Sequence, residues 1–155
     1  MTDTQRHYKR TEVYSSASES GKKPKHLFKV LGDRIEHLGL LEASKSLLDV
    51  GGAAGDFVSF LRTRFPDTAL TCLDANPDLI DLGRSRNQNC AFVHGDAECM
   101  SIFEDGQFSA VTFIGALSIF DDYRKALDEC LRVTAPGGAL LVVAQFNEYP
   151  VDALI

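Results

Sequence analysis

A glycine-rich turn between an apolar strand and an amphipathic helix constrains this chain more than any other feature. Residues 47–57 read LLDVGGAAGDF, so an apolar run with Asp49 near its end leads directly into glycines and a helical pattern. A tight strand-to-helix turn presents backbone N–H groups at a helix N-terminus. Glycines carry no side chain, so a ligand can lie directly on the backbone. We therefore expect Gly51, Gly52 and Gly55 to form a nucleotide-type binding turn.

The spacing of these glycines separates the known kinds of nucleotide site. Read from Gly51, the dinucleotide pattern G-x-G-x-x-G places Ala53 and Asp56 where glycines are required, so that pattern is not present. The phosphate-binding pattern G-x-x-x-x-G-K-[ST] also fails, because no Lys-Ser or Lys-Thr pair follows. The pattern that fits is D-x-G-x-x-x-G, from Asp49 to Gly55. A tight turn without a ligand is the alternative.

Composition predicts a soluble, single-domain protein. The chain has 155 residues, 45% hydrophobic and 25% charged, which is an ordinary globular balance. Its net charge of −6 gives no basic surface for nucleic acid. The chain has no signal-peptide pattern and no apolar run of the ~20 residues that a membrane span requires. We expect a cytoplasmic protein with no membrane or nucleic-acid partner.

The four cysteines indicate reduced thiols. None forms a C-x-x-C pair, so we expect neither a disulfide framework nor a zinc site, and no metal is predicted.

Residues 1–24 are polar and are expected to form a flexible N-terminal arm, whereas residues 25–155 are expected to form the folded core. A helix is predicted from His26, and strands and helices alternate after it. The predicted strands are Ser46–Val50, Ala69–Leu73, Ala91–His94, Ser109–Gly115 and Ala139–Phe146, with Pro136-Gly137-Gly138 as the turn into the last. This alternation predicts an α/β fold with a parallel sheet covered by helices on both faces.

Asp74 follows the second predicted strand and is a candidate for a ligand contact. In open α/β sheets, ligands bind beyond the carboxyl ends of the strands. A carboxylate there can accept hydrogen bonds from both hydroxyls of a ribose. The alternative is a helix cap, but Asn76, which precedes Pro77, is better placed for that role.

Together, these strand ends make the chain resemble the class I S-adenosylmethionine-dependent methyltransferases. The first motif of that family reads roughly D/E-x-G-x-G-x-G, and Ala53 stands at its middle glycine here. In the family, an acidic residue ending the second strand binds the ribose, which matches Asp74. An acidic residue after the third strand binds the adenine amino group, and the next N–H faces a ring nitrogen, which matches Asp96 and Ala97. A plain surface turn is the alternative for Asp96.

The resemblance runs from about Ser46 to Phe146 and implies a Rossmann-like, doubly wound sheet with strand order 3-2-1-4-5. It implies S-adenosylmethionine as the cofactor. Gly115, which ends the fourth strand, would let the methionyl part pass close to the backbone, with close strand–helix packing as its alternative. The expected cofactor-binding residues are Asp49, Gly51, Gly52, Ala53, Gly55, Asp74, Ala75, Asn76, Asp96, Ala97 and Gly115.

The family resemblance implies methyl transfer, and the acidic net charge and one-domain size favour a small-molecule acceptor, but no catalytic residue is identified. A sulfonium methyl needs an aligned nucleophile more than acid–base help. His94 near the site and His7, Tyr8 and Tyr14 on the arm are not assigned a role. Two alternatives stay open: a cofactor-binding but inactive protein that acts through assembly, and a nucleotide-dependent oxidoreductase.

Members of the family usually continue past the fifth strand with a helix and an antiparallel hairpin that helps form the acceptor pocket. This chain ends at Ile155, so we expect those antiparallel strands to be missing and the core to be truncated. Leu140–Ala144 would then form an exposed apolar edge. The chain could be a fragment, a partner could cover the edge, or Tyr149–Ile155 could fold back over it. We expect the isolated chain to form a homodimer through the fifth-strand edge or to aggregate.

Overall fold

The computed structural model describes residues 24–42, 44–120 and 122–144, which build one sheet flanked by helices. All neighbouring strands pair in parallel, and their order is β3-β2-β1-β4-β5. This confirms the predicted fold class and strand order. The elements are α1 (His26–His37), β1 (Ser46–Val50), α2 (Asp56–Arg64), β2 (Ala69–Asp74), α3 (Pro77–Arg86), β3 (Ala91–His94), β4 (Phe108–Ile114), a 3₁₀ turn (Leu117–Ile119), α4 (Tyr123–Val133) and β5 (Thr134–Val143).

Two hydrophobic layers cover the two faces of the sheet. Successive side chains of a strand point to opposite faces, so Leu47 and Leu48 of β1 enter different layers, and both are fully buried. The first layer contains buried residues of α1, α2 and α3, including Ile35, Leu61 and Ile80. The second contains the buried face of α4, Ala126, Cys130 and Val133. Helices therefore lie on both faces, as predicted.

The predicted bounds of β1 and β3 are confirmed, but the predicted start of β5 is wrong. Thr134 pairs with Phe108, and the next pair joins Ala139 to Ala110. Residues 135–138 therefore bulge opposite a single residue of β4, so the Pro-Gly-Gly sequence lies inside β5 and not before it. Pro136 has no N–H to give to a sheet ladder, which explains the local break in pairing.

β5 lies at one edge of the sheet, and Leu140–Val143 are half-buried there. Within the described residues, no strand pairs with its outer side. Residues 1–23 and 145–155 lie outside the described residues, so the expectations for the arm and for Tyr149–Ile155 have no structural outcome. The predicted fifth strand runs to Phe146, but β5 ends at Val143 and Ala144 is not part of it. None of the helices in the described part of the chain is long and apolar enough to cross a membrane.

Candidate functional site

The carboxyl ends of β1 to β4 meet at one edge of the sheet because these strands are parallel. The residues at those ends are 50–52, 74–76, 94–96 and 114–116, and they include Asp74 and Asp96 but no lysine or arginine. Such a set of strand ends is electrostatically suited to a cationic ligand and unfavourable for a pyrophosphate.

Asp74 joins the turn after β1 to the loop after β2. The residue is 1% exposed, and its Oδ2 accepts a hydrogen bond from Ala53 N at 2.8 Å while Oδ1 accepts one from Asn76 N at 2.9 Å. These two bonds fix the carboxylate between the turn after β1 and the loop after β2. Asn76 itself accepts from Asp78 N and Leu79 N, which confirms it as the cap of α3.

The backbone N–H groups of the glycine turn are largely used by the protein itself. Gly51 N and Gly52 N donate to Leu73 O at 2.8 and 3.2 Å, and Gly55 N donates to Gly52 O at 2.9 Å. Together with the bond from Ala53 N, these contacts show that the expectation of outward-pointing N–H groups is wrong at these four positions. The end of β2 holds the turn, which is therefore formed without a ligand.

The glycines of this turn are required by its own packing. A Cβ at Gly52 would lie 2.5 Å from Asp49 Oδ2 and 2.7 Å from Cys72 Sγ. A Cβ at Gly55 would lie 2.5 Å from the ring of Phe92. The interpretation that these two positions lack side chains to admit a ligand is therefore not supported, because the missing side chains would point into protein.

Gly115 is the exception among the predicted glycines. It follows β4 with a φ of +71°, it is exposed, and a Cβ built on it would meet no atom of the described part of the chain within 4 Å. Its N–H donates to Val143 O at 2.7 Å, so the backbone is fixed while the Cα faces open space. The absence of a side chain here leaves room at the edge of the site.

Asp49 is buried beneath the turn. It is 2% exposed and lies in register between Cys72 of β2 and Thr112 of β4. Thr112 Oγ1 donates to Asp49 Oδ1 at 2.7 Å. Burial raises the pKa of Asp49 to about 7, against the lowering effect of the Thr112 hydrogen bond, and the nearby Asp74 charge also raises it. Sequence reasoning missed Thr112, although a hydroxyl inside an otherwise apolar buried strand was a usable signal.

The turn after β3 shows mainly local bonds. Asp96 is exposed, its Oδ1 accepts from Glu98 N at 2.9 Å, and its carbonyl accepts from Cys99 N at 3.1 Å. These are the bonds of the surface turn given as its alternative, so an adenine contact stays a prediction. Ala97 is buried, and His94 Nε2 lies 3.2 Å from Ala75 O.

An Arg132–Glu129 pair on α4 fixes the loop between β3 and β4. Arg132 donates to the carbonyls of Met100 and Phe103, each at 3.0 Å, and to Asp105 and Glu129 side chains, each at 2.7 Å. Glu129 also accepts from Met100 N at 2.6 Å. The hydrogen bond from Arg132 lowers the pKa of the Glu129 carboxyl. The sequence signal was an acid and a base three residues apart on a helix, which sequence reasoning did not use.

Comparison with known proteins decides the family. A family model described as a methyltransferase domain matches residues 47–138. This chain belongs to that methyltransferase family. It is 36% identical over 114 residues to the demethylmenaquinone methyltransferase of Thermus thermophilus, and the alignment covers 71% of this chain and 51% of that protein.

The chain is also 30% identical over 125 residues to the ubiquinone/menaquinone biosynthesis C-methyltransferase UbiE of Legionella pneumophila. That alignment covers 76% of this chain and 48% of the Legionella protein.

The fold has matches among solved structures. A putative sarcosine dimethylglycine methyltransferase from Galdieria sulphuraria superposes with a TM-score of 0.70 at 22% identity, covering 75% of this chain and 44% of that one. The chain spans about half the length of the curated relatives it matches.

The sequence matches confirm the predicted methyltransferase family and S-adenosylmethionine as its cofactor. The structural match confirms the predicted Rossmann-like fold. The strand ends fit this cofactor because its sulfonium is cationic and its ribose and adenine present hydrogen-bond donors. Asp74 and Asp96 are acceptors of the matching kind.

Proposed function

We propose that this protein transfers a methyl group from S-adenosylmethionine to a small-molecule acceptor. The observation that carries the proposal is Asp74, a buried carboxylate at the end of β2 that is fixed between two loops by Ala53 N and Asn76 N. A carboxylate held in place by two backbone donors loses little entropy when it accepts ligand hydroxyls. Family membership supports the same reaction.

The cofactor supplies an activated methyl on its sulfonium, and the residues of this chain bind and orient it. We propose that Asp74 binds the ribose, and that Asp96 and the Ala97 N–H bind the adenine. Gly115 leaves open space beside the site, where an acceptor could approach the methyl in line. The remaining proposed lining residues are Asp49, Gly51, Gly52, Ala53, Gly55, Ala75 and Asn76.

The proposed acceptor is an electron-rich ring carbon of a reduced quinone. The support is the demethylmenaquinone methyltransferase to which this chain is 36% identical over 114 residues. The core that carries out the reaction is proposed to be residues 25–155, with residues 1–24 as an arm.

Calorimetric titration with S-adenosylmethionine, S-adenosylhomocysteine and NAD tests the cofactor, and transfer of a radiolabelled methyl to 1,4-naphthoquinol tests the acceptor. We expect both sulfur ligands to bind, NAD not to bind, and label to appear in the quinol. Binding without transfer to any of a panel of quinols would favour the inactive, assembly-type alternative. Binding of NAD alone would contradict the proposal.

We also propose that the isolated chain dimerises through the outer edge of β5. Its apolar residues Leu140–Val143 are half-buried, and an edge strand presents unpaired backbone groups to another chain. Sedimentation equilibrium should show mass that rises with concentration, and Val142→Lys should reduce it. A monomer at every concentration would contradict the dimer.

A further inference from the structure

A buried polar cluster lies beneath the glycine turn, and it includes Asp49, one of the proposed lining residues of the cofactor site. Asp49 on β1 lies between Cys72 on β2 and Thr112 on β4 in the sheet register. Thr112 Oγ1 donates to Asp49 Oδ1 at 2.7 Å, and both residues are buried. The backbone of Gly52 lies directly over Asp49 Oδ2 and Cys72 Sγ, since a Cβ there would come within 2.7 Å of both atoms. The cluster therefore contacts the turn from below.

Among the described residues, the groups that face Asp49 carry negative or no charge. On β2 these are the Asp74 carboxylate and the Cys72 thiol, which has Cys90 near it, and on β4 the group is the Thr112 hydroxyl. The turn contributes only backbone. Burial and the Asp74 charge disfavour ionisation of Asp49, whereas the Thr112 hydrogen bond favours it, and the pKa of Asp49 is raised to about 7. The carboxylate is thus poised between its two forms near neutral pH.

We propose that the Asp49–Thr112 pair sets the charge beneath the turn and so makes the site favour the cationic methyl donor over its neutral demethylated product. The inference rests on the proposed function. Donor and product share the charges of their amino-acid part and differ by one positive charge at sulfur, so the attraction of a buried negative charge for the sulfonium acts on the donor alone. Thr112 is a positioning residue, because it acts through Asp49.

This arrangement predicts a pH dependence with a defined sign. The cationic donor stabilises ionised Asp49, so donor affinity rises as pH rises through the titration of Asp49. The neutral product has no charge at sulfur to respond, and its affinity changes much less. Removal of the Thr112 hydroxyl takes away a bond to the ionised form, so the titration moves to higher pH.

Calorimetry of the full chain with S-adenosylmethionine and S-adenosylhomocysteine at pH 6 and pH 8 tests the proposal. In the wild type, the preference for donor over product should rise by about fivefold between these pH values, which is the part of the full tenfold effect of a one-unit change in the pKa of Asp49 that falls between pH 6 and pH 8. Asp49→Asn has no carboxyl to titrate at this position, so its preference for donor over product should change much less between pH 6 and pH 8 than that of the wild type. Titration of the amino groups of the ligands is common to wild type and variant, so it cancels in the comparison.

Variants of Thr112 separate positioning from plain structural support. Thr112→Val should lower the donor preference several-fold at pH 7 and move the pH profile upward, while Thr112→Ser should restore both. The matched control is Thr68→Val, since Thr68 is a buried threonine at the amino end of β2 whose hydroxyl donates to Leu41 O. This control should leave the donor preference and its pH profile as in the wild type.

The outcomes distinguish the two proposals. A wild-type preference and pH profile in both Asp49→Asn and Thr112→Val would overturn the charge-setting role while leaving methyl transfer intact. Failure of the wild type to bind either sulfur ligand would overturn the proposed function and this inference with it. Circular dichroism establishes that each variant is folded, and if Asp49→Asn does not fold, the Thr112 series decides the result.

Discussion

The two halves of the edge formed by the carboxyl ends of the strands are built in opposite ways. After β1 and β2 the backbone is closely packed: the N–H groups of Gly51 and Gly52 are bonded to Leu73 O at the end of β2, and a Cβ added at Gly52 would collide with Asp49 and Cys72. After β4 the chain is open, since a Cβ at Gly115 would meet no atom of the described residues within 4 Å. The first half is a preformed scaffold, and the second leaves space.

This difference fits a protein that binds one constant ligand and one variable ligand. A cofactor common to a whole family can be bound by a rigid turn, because its shape does not change between reactions. An acceptor requires room that other segments can shape. The contrast between Gly52 and Gly115 is therefore the most direct structural expression of the proposed function.

The largest expected effect comes from adding one methyl group at Gly52 in the packed half, compared with the same addition at Gly115 in the open half. Gly52→Ala forces a Cβ against two buried atoms of neighbouring strands, so it should lower the free energy of unfolding by about 3 kcal/mol and abolish S-adenosylhomocysteine binding. Gly115→Ala has free space and suffers mainly from its positive φ, at about 1 kcal/mol. Urea denaturation measures both. Equal losses in the two variants would break the comparison.

Much of this architecture could be predicted from the sequence, because it follows from strand–helix alternation and strand-end residues. The bounds of β1 and β3 and the cap at Asn76 are local properties of short segments. The requirement for a glycine at position 52 could not be predicted, because it depends on contact with Cys72, a residue of another strand. The bulge in β5 likewise depends on pairing with β4. Nonlocal contacts account for these misses.

The second prediction concerns the buried charge in the packed half. Asp49 has its pKa raised from 3.8 to about 7 in the folded chain, so the folded state keeps a proton that the unfolded chain has lost. Stability should therefore fall as pH rises through this window. Asp49→Asn has no carboxyl to lose a proton, so only the wild type is destabilised in this pH range. The free energy of unfolding of the variant minus that of the wild type should therefore increase by about 2 to 3 kcal/mol between pH 5 and pH 8. A difference that is constant with pH would show that Asp49 is ionised throughout.

A smaller effect is expected where α4 supports the β3–β4 loop. Arg132→Met removes the bonds to the Met100 and Phe103 carbonyls and should lower the free energy of unfolding by about 1.5 kcal/mol. Arg124→Met on the same helix is the control, since that side chain is 75% exposed and should contribute close to nothing. Thermal denaturation compares the two. Similar midpoints would mean that the loop does not depend on Arg132.

The most direct test of the whole account is the affinity of Asp74→Ala for S-adenosylhomocysteine. If Asp74 is the ribose acceptor of the packed half, calorimetry should show binding weaker by on the order of 2 kcal/mol in a folded variant. Asp67→Ala, an exposed acid on the turn that precedes β2, should bind as the wild type does. Unchanged affinity in folded Asp74→Ala would contradict the assignment of this strand end as the cofactor site.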